Sequence, residues 1–369
     1  MSISKKYKIL NVVGARPNFM KIAPIQRAMQ ESEKLQPILI HTGQHYDAEM
    51  SKIFFHDLDL PQPQHYLGVG SGTHAQQTAA VMVELEKVAL EVKPDLVLVV
   101  GDVNSTLAAA IVAAKLHIPI AHVEAGLRSF DRTMPEEINR ALTDILAEFL
   151  FITEDTARAN LLNEGIEEAK IYFVGNVMID SLLHFRERAQ QSSIIEDLNL
   201  NGKPYALLTL HRPSNVDLQA IFWQIIEALN IIQQRISVIF PIHPRTQKMI
   251  DQFNMRDQVN RMKNFKLINP LGYLDFLKLM ANSLFVLTDS GGIQEETTVL
   301  SIPCLTLREN TERPVTVDIG TNMVLGMNAD RIVDESLKII EGKGKKGQIP
   351  PLWDGNTARR IVQILEQKF

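Results

Sequence analysis

Short, nearly continuous apolar runs rich in β-branched residues recur along the chain, separated by longer stretches with apolar positions at helical spacing. In the first half they fall at residues 9–13, 37–40, 96–100, 118–122, 150–153 and, more weakly, 172–174. None alternates polar with apolar as a half-exposed sheet does, so they read as parallel strands covered on both faces. Residues 105–116 and 136–148 carry helical spacing between them. This is the βαβ rhythm of a doubly wound α/β domain. The rhythm restarts with strands at 205–210, 237–241, 265–268, 284–287 and 304–307, and with helices at 216–234, 273–281 and 291–300. A polar stretch at 190–203 and a linking helix over 179–190 put the boundary near residue 180. The expected fold is therefore α/β, with two Rossmann-like domains. Two such domains facing one another leave a central cleft at the carboxyl ends of their strands, where ligands bind. The segment from Gly342 to Gly347 reads as a flexible basic loop, and residues 356–367 as a closing helix.

Composition narrows the functional classes. The chain has 369 residues, 45% apolar and 22% charged, as expected of a globular protein large enough for two cores. A net charge of -5 argues against nucleic acid, whose phosphates call for clustered cations. The single cysteine, Cys304, sits in an apolar run and reads as a buried, inert thiol. No apolar run approaches the roughly 20 residues of a membrane span. The apolar stretch after Lys5 and Lys6 is too short for a signal-peptide core, so a cytoplasmic enzyme with no membrane partner is expected. His41, His45, His56, His65 and His74 lack metal-ligand spacing, and no metal site is expected.

The candidate chemistry lies at strand ends. The first strand runs into Gly14-Ala15-Arg16-Pro17-Asn18-Phe19-Met20-Lys21, a glycine turn before a helix, where free backbone N–H groups favour phosphate. The pattern is not GxGxxG, so no NAD site is expected; Arg16 and Lys21 offer two cations instead. Asp102 and Glu124 follow two further strands, where apolar surroundings favour catalytically useful carboxyls. Asp102 can also be read as a helix cap, but Glu124, between a strand and a glycine turn, has little capping use. Pro135-Glu136-Glu137 suits a helix start; that explains one acid easily, but not the nearby Arg128, Asp131, Arg132 and Arg140. In the second half, two strand ends each deliver a histidine and an arginine: His211-Arg212 and His243-Pro244-Arg245. Thr288-Asp289-Ser290-Gly291-Gly292 then turns into a helix bearing Glu296. Small residues there let a phosphate approach the helix N-terminus, and Glu296 could accept from ribose hydroxyls. Arg308, Glu312 and Arg313 would rim the same region.

Taken together, GARPNFMKIAP, TGQHYD, GDVNSTLAA, HVEAGLRS, MPEEINR, HRPSN, TDSGGIQEE and RENTERP, in this order over residues 14–314, resemble the non-hydrolysing UDP-N-acetylglucosamine 2-epimerases. The resemblance implies the two-domain glycosyltransferase-B architecture. The last helix then crosses back, giving an N-terminal domain of residues 1–178 plus 355–369 with the catalytic carboxylates, and a UDP-binding domain of 179–354. It implies that Arg16, His211, Ser290, Gly291 and Gly292 bind diphosphate, with Glu296 on the ribose; the strand-end positions of His243 and Arg313 put these two on the substrate as well. Lys21, Asp102, Glu124 and Glu136 would surround the sugar, with His211 an acid near the leaving oxygen. It also implies a homodimer and no cofactor. Relatives with a regulatory site carry Ala-Gln-His-Arg where this chain has Gly43-Gln44-His45-Tyr46, and an Arg-Gln pair where it has Gln76-Gln77. Activation by a second substrate molecule is therefore not implied.

Chemistry constrains the reaction. Carbon 1 of a UDP-sugar is an acetal, so the hydrogen on carbon 2 is not acidic. Epimerisation needs a transient ketone, which requires NAD, or loss of UDP. Without an NAD fingerprint, elimination to 2-acetamidoglucal and UDP, then re-addition from the other face, is expected. Which carboxylate is base and which acid stays open. So do a hydrolysing epimerase releasing N-acetylmannosamine, an epimerase of a related diacetamido sugar, a glycosyltransferase of the same fold and an inactive UDP-sugar sensor.

Overall fold

The computed structural model describes residues 6–44 and 58–369; the side chain of Arg16, together with His45, Tyr46 and His56, lies outside the described residues. The chain divides into two compact units, Met1–Ser181 with Pro351–Phe369, and Leu182–Pro350. The helix Val177–Gln190 carries the chain from one to the other.

The first unit is built on seven strands: β1 (Tyr7–Val13), β2 (Leu35–His41), β3 (His65–Tyr66), β4 (Leu96–Val100), β5 (Ile120–Val123), β6 (Phe149–Ile152) and β7 (Ile171–Phe173). All pair in parallel, in the order β3-β2-β1-β4-β5-β6-β7. The chain winds outward from β1, then returns to β4 on its other side, so the winding direction reverses between these strands. Crevices open at the carboxyl ends of strands at such a reversal. β4 is buried along its whole length, which is why its five residues are all Leu or Val.

The second unit repeats the design with β8 (Tyr205–Thr209), β9 (Ser237–Pro241), β10 (Phe265–Ile268), β11 (Phe285–Thr288), β12 (Cys304–Thr306) and β13 (Asn322–Val324). Its order is β10-β9-β8-β11-β12-β13, again all parallel, with the reversal between β8 and β11. Phe222, Ile225, Ile226 and Leu229 of the helix Gln219–Ile232 fill the space against this sheet.

β3 and β13 have no counterpart in the apolar pattern, because each is a short edge strand with a polar member. The helix expected over 216–234 is two pieces, Pro213–Val216 and Gln219–Ile232. Leu218 leaves helical geometry to start the second, at φ -98° and ψ 109°. The segment from Gly342 to Gly347 is not a free loop. Lys345 Nζ donates to the carbonyls of Val317 and, at 2.9 Å, Asn322, and a Cβ on Gly347 would lie 2.3 Å from the Gly320 carbonyl carbon. Lys345 reads as solvated in sequence but satisfies two carbonyls in the fold.

The returning segment is tied into the first unit at several points. Trp353 is buried, and its Nε1 donates to the Thr153 carbonyl at 3.0 Å. Asp180 accepts from the N–H groups of Thr357 (3.1 Å) and Ala358 (2.7 Å), capping the last helix, Thr357–Lys368. Gly175, at φ +93°, would meet the Leu352 carbonyl oxygen at 2.1 Å if it carried a Cβ. No helix among the described residues is long and apolar enough to cross a membrane.

Candidate active site

The carboxyl end of the first sheet gathers the predicted acids. After β1, Gly14 turns the chain into the helix Arg16–Gln30; a Cβ there would lie 2.2 Å from Ser105 Oγ, so glycine is required. Asn18 fixes the turn. Its Oδ1 accepts from Gly14 N (3.3 Å) and Ala15 N (3.0 Å), and its Nδ2 donates to the Val100 carbonyl (3.0 Å). Lys21, on the same helix, donates to Glu124 Oε2 at 2.5 Å, and both side chains are buried. Glu124 adopts φ +69°, a left-handed backbone that costs a glutamate about 1–3 kcal/mol. Its second oxygen, Oε1, is buried with no hydrogen-bond partner among the described residues. A strained residue holding a buried, unsatisfied oxygen is costly for stability alone. Gly101 lies directly beneath, at φ +67°, where a Cβ would be 2.9 Å from Lys21 Nζ.

β4 and β5 are neighbours with Val100 opposite Val123, so Asp102 and Glu124 leave adjacent strand ends. Asp102 does not cap the following helix, whose N-cap is Val103. It meets Arg140 Nη2 at 2.5 Å, with 28% of its side chain exposed. The neighbouring acids of the helix Pro135–Leu146 differ in role. Glu137 is buried and accepts from the N–H and hydroxyl of Ser129 and the N–H of Phe130, each at 2.9 Å. Glu136 is half-buried and has no hydrogen bond or ion pair among the described residues.

A second, fully buried network supports this end of the sheet. His122 places Nδ1 2.6 Å from Asp144 Oδ1 and Nε2 2.8 Å from the Gly101 carbonyl. Asp144 Oδ2 faces Arg128 Nη2 at 2.7 Å and accepts from Gly126 N at 3.1 Å. Burial pushes the Asp144 carboxyl up, but His122 and Arg128 outweigh it and hold the group below its ordinary value.

At the second sheet, β8 ends in His211 and Arg212, and β11 in Asp289 and the turn Ser290-Gly291. Asp289 is fully buried. Its Oδ2 accepts from His211 N (2.8 Å), Arg212 N (2.7 Å) and Asn215 Nδ2 (3.3 Å), and its Oδ1 lies 2.9 Å from His211 Nδ1. Ser290 occupies the N-cap of the helix Gly291–Leu300, but its hydroxyl makes no cap hydrogen bond. A Cβ on Gly291 would lie 2.7 Å from Arg313 Nη1. Arg313 is itself 2.7 Å from Glu295 Oε1 and 2.9 Å from Glu312 Oε1, so its guanidinium packs under the turn. Glu312 also faces Arg308 at 2.8 Å. Burial raises the Glu312 carboxyl, but the arginines outweigh it and hold it well below the usual carboxylate range. Glu296 is buried and accepts from Tyr273 Oη at 2.9 Å. His243 accepts from Arg245 N at 3.2 Å as a helix cap, and its ring lies 5.4 Å from that of His211. Past β9 and β10, Ile242, Gln247, Ile250, Arg256, Leu267, Ile268 and Asn269 line a hollow of about 410 Å³.

Lys21, Asp102, Glu124 and Glu136 thus derive from one sheet end. His211, His243, Ser290, Gly291, Gly292, Glu296 and Arg313 derive from the other unit, and Arg16 opens its helix with its side chain outside the described residues. Among the supporting residues, His122, Asp144 and Tyr273 escape a strand-end search, and Glu137 and Asp289 lie in the motifs but take partners that local spacing does not reveal. His122, a histidine inside an otherwise apolar strand, is a visible signal. No group of histidine, cysteine or acidic side chains among the described residues could hold a metal.

Comparison with known proteins supplies the family. The model of the UDP-N-acetylglucosamine 2-epimerase family matches residues 27–366. A UDP-N-acetylglucosamine 2-epimerase of Methanocaldococcus jannaschii is 46% identical over 97% of this chain and 98% of its own. A UDP-2,3-diacetamido-2,3-dideoxy-D-glucuronate 2-epimerase of Pseudomonas aeruginosa is 44% identical over 97% and 99%. The crystal structure of the M. jannaschii enzyme in complex with UDP-GlcNAc and UDP superposes with a TM-score of 0.89 at 45% identity, covering 98% of this chain and 99% of that one. The two parallel sheets with flanking helices are the two-domain, glycosyltransferase-B-like fold of such enzymes. The chain belongs to the UDP-N-acetylglucosamine 2-epimerase family of isomerases.

Proposed function

We propose that this chain inverts carbon 2 of UDP-N-acetylglucosamine, giving UDP-N-acetylmannosamine by elimination and re-addition of UDP, with the sugar kept on the nucleotide. The carrying observation is Glu124: strained, buried, tethered through one oxygen by Lys21 and unpartnered at the other. That oxygen suits a proton held near carbon 2. The C1–O bond breaks with its electron pair leaving on the diphosphate oxygen, and a carboxylate takes the C2 proton. The pair from that C–H bond forms the C1=C2 double bond of 2-acetamidoglucal. Re-addition reverses each step with the proton delivered to the opposite face, so a second acid is required; Asp102 and Glu136 are the candidates. The diphosphate takes the turn Ser290-Gly291-Gly292, Arg16 and His211, the ribose takes Glu296, and His243 and Arg313 support the nucleotide. No hydride leaves the sugar, so the scheme uses no redox cofactor.

Incubation with UDP-N-acetylglucosamine in deuterated water tests this. The expected product is UDP-N-acetylmannosamine carrying deuterium at carbon 2. Free N-acetylmannosamine would identify a hydrolysing enzyme, and a product without deuterium would sink elimination. The diacetamido-glucuronate enzyme of P. aeruginosa, nearly as similar, supports a second reading in which a UDP-2,3-diacetamido sugar is the substrate. Comparing kcat/KM for the two sugars decides it.

We also infer that two copies associate. Ile138, Leu142 and Ile145 form an exposed apolar stripe on one helix, and Val83 lies exposed on the helix His74–Val92, both packed against the helix Asn104–Lys115. Light scattering of Ile145→Glu beside the parent chain checks this: the parent is expected as a dimer and the variant as a monomer.

A further inference from the structure

We propose that Asp289 is the positioning residue for His211, holding the imidazole through Nδ1 so that Nε2 is the atom offered to the departing diphosphate oxygen. This rests on the reading of His211 as the acid beside that oxygen.

The placement follows from topology. β8 and β11 are hydrogen-bonded neighbours at the reversal of the second sheet, with Thr209 opposite Thr288. The residues just beyond them therefore emerge side by side, His211-Arg212 from one strand and Asp289-Ser290-Gly291 from the other. Asp289 bridges the two. Three donors from the histidine loop converge on Oδ2, and the Asp289 carbonyl accepts from Arg212 Nε at 2.9 Å. With Oδ2 saturated, the carboxylate cannot rotate, and Oδ1 is directed at the ring of His211. That nitrogen–oxygen distance is 2.9 Å, but the pair is not aligned as a hydrogen bond, leaving Oδ1 buried without a full partner. A modest ring rotation completes the bond, as often happens when substrate arrives.

Two features set this carboxylate apart from a loop anchor. A fully buried acid that needed only to accept backbone N–H groups could be an asparagine, without the cost of burying charge. Moreover, His211 is the exposed partner, with 41% of its side chain accessible, whereas Asp289 has none. The arrangement keeps the charge inside and presents the ring. A negative charge at Nδ1 fixes the tautomer and stabilises the imidazolium. As the C1–O bond breaks, Nε2 gives its proton to the diphosphate oxygen that receives the electron pair, and Nδ1–H stays on Asp289. Re-addition returns the proton. Arg212 and the ring of His243, 5.4 Å away, also lie beside His211.

The test compares Asp289→Asn, His211→Ala and the double variant in the full chain, reading kcat, KM, UDP affinity and thermal midpoint. Asn keeps the shape and an acceptor for the backbone N–H groups, but turns an NH₂ toward Nδ1 and selects the wrong tautomer. We expect Asp289→Asn to lower kcat at least about 100-fold with KM within about threefold of the parent. The double variant should be no slower than His211→Ala, because both changes remove one function. Independent, multiplying losses, or a change in KM alone, would reduce Asp289 to a structural anchor. An inactive His211→Ala beside a fully active Asp289→Asn overturns the proposal alone; a fully active His211→Ala overturns the reading of His211 with it. Nitrogen-15 NMR of the unmodified, histidine-labelled enzyme decides the matter even if Asp289→Asn fails to fold. His211 should carry a proton on Nδ1, and a ring protonated only at Nε2 refutes the assignment.

Discussion

Lys21 Nζ lies 2.5 Å from Glu124 Oε2, joining the turn after β1 to the turn after β5, and both side chains are buried. Removing one member of a buried pair leaves an uncompensated charge, which typically costs about 3–5 kcal/mol. Lys21→Met should therefore lower the urea midpoint clearly as well as the turnover. Glu124→Gln keeps shape and leaves a neutral partner for the amine. It should lose at least about 100-fold in kcat, with a smaller stability change. A Glu124→Gln enzyme with parental turnover removes Glu124 from the chemistry.

Gly101 offers a sharper probe, since it touches no substrate group in the proposed scheme. Its φ of +67° and the 2.9 Å distance from a hypothetical Cβ to Lys21 Nζ mean that Gly101→Ala displaces the amine and strains the backbone. A stability loss of about 1–3 kcal/mol is expected, with turnover falling alongside it. Parental activity in this variant would show that the Lys21–Glu124 geometry is not needed.

Tyr273 donates to Glu296 Oε1, and burial together with the Glu296 charge holds its hydroxyl well above its ordinary pKa, so it stays a donor. If Glu296 grips the ribose, Tyr273→Phe loosens that grip without touching the bond-breaking groups. KM for the UDP-sugar should rise several-fold, on the order of one lost hydrogen bond, while kcat changes little. A fall in kcat at constant KM would count against this role.

Asp144 gives a stability profile with a definite sign. Its folded pKa is depressed, because His122 and Arg128 outweigh the burial that alone would raise it. An unfolded aspartate ionises near about 3.9, so its contribution is complete above that pH and fades as the pH drops through the lower folded value. Urea midpoints measured between pH 7 and pH 2 should show this loss in the parent. In Asp144→Asn that component should be missing and the neutral-pH midpoint already reduced. An identical acid limb in both chains would exclude Asp144 as its source.

Particular residues show how far the sequence could be read. β4 and β11 were legible because short, unbroken apolar runs followed by turn residues fit covered strands and are too short for helices. The positions of Asp102, Glu124, His211 and Ser290 were legible because polar groups directly after such runs emerge at the carboxyl edge of a parallel sheet. Glu137 was not separable from Glu136 by sequence: both suit a helix start, and only the fold turns one toward Ser129 and leaves the other unbonded. The pairing of Asp289 with His211 spans 78 positions, and no local periodicity encodes such a contact. The same holds for Lys345, whose carbonyl partners come from elsewhere in its unit.

The return of Pro351–Phe369 to the first unit has a consequence for biosynthesis. A ribosome makes these residues only after all of Leu182–Pro350, so the later-encoded unit has its full set of strands while the earlier one still lacks Trp353 and its final helix. The nascent protein should therefore hold its acid-bearing half unfinished until Pro351–Phe369 has been made. Protease resistance of chains ending at Pro350 and at Phe369 would reveal this dependence, with the first unit resistant only in the longer chain. A first unit already resistant in chains stopped at Pro350 would contradict it.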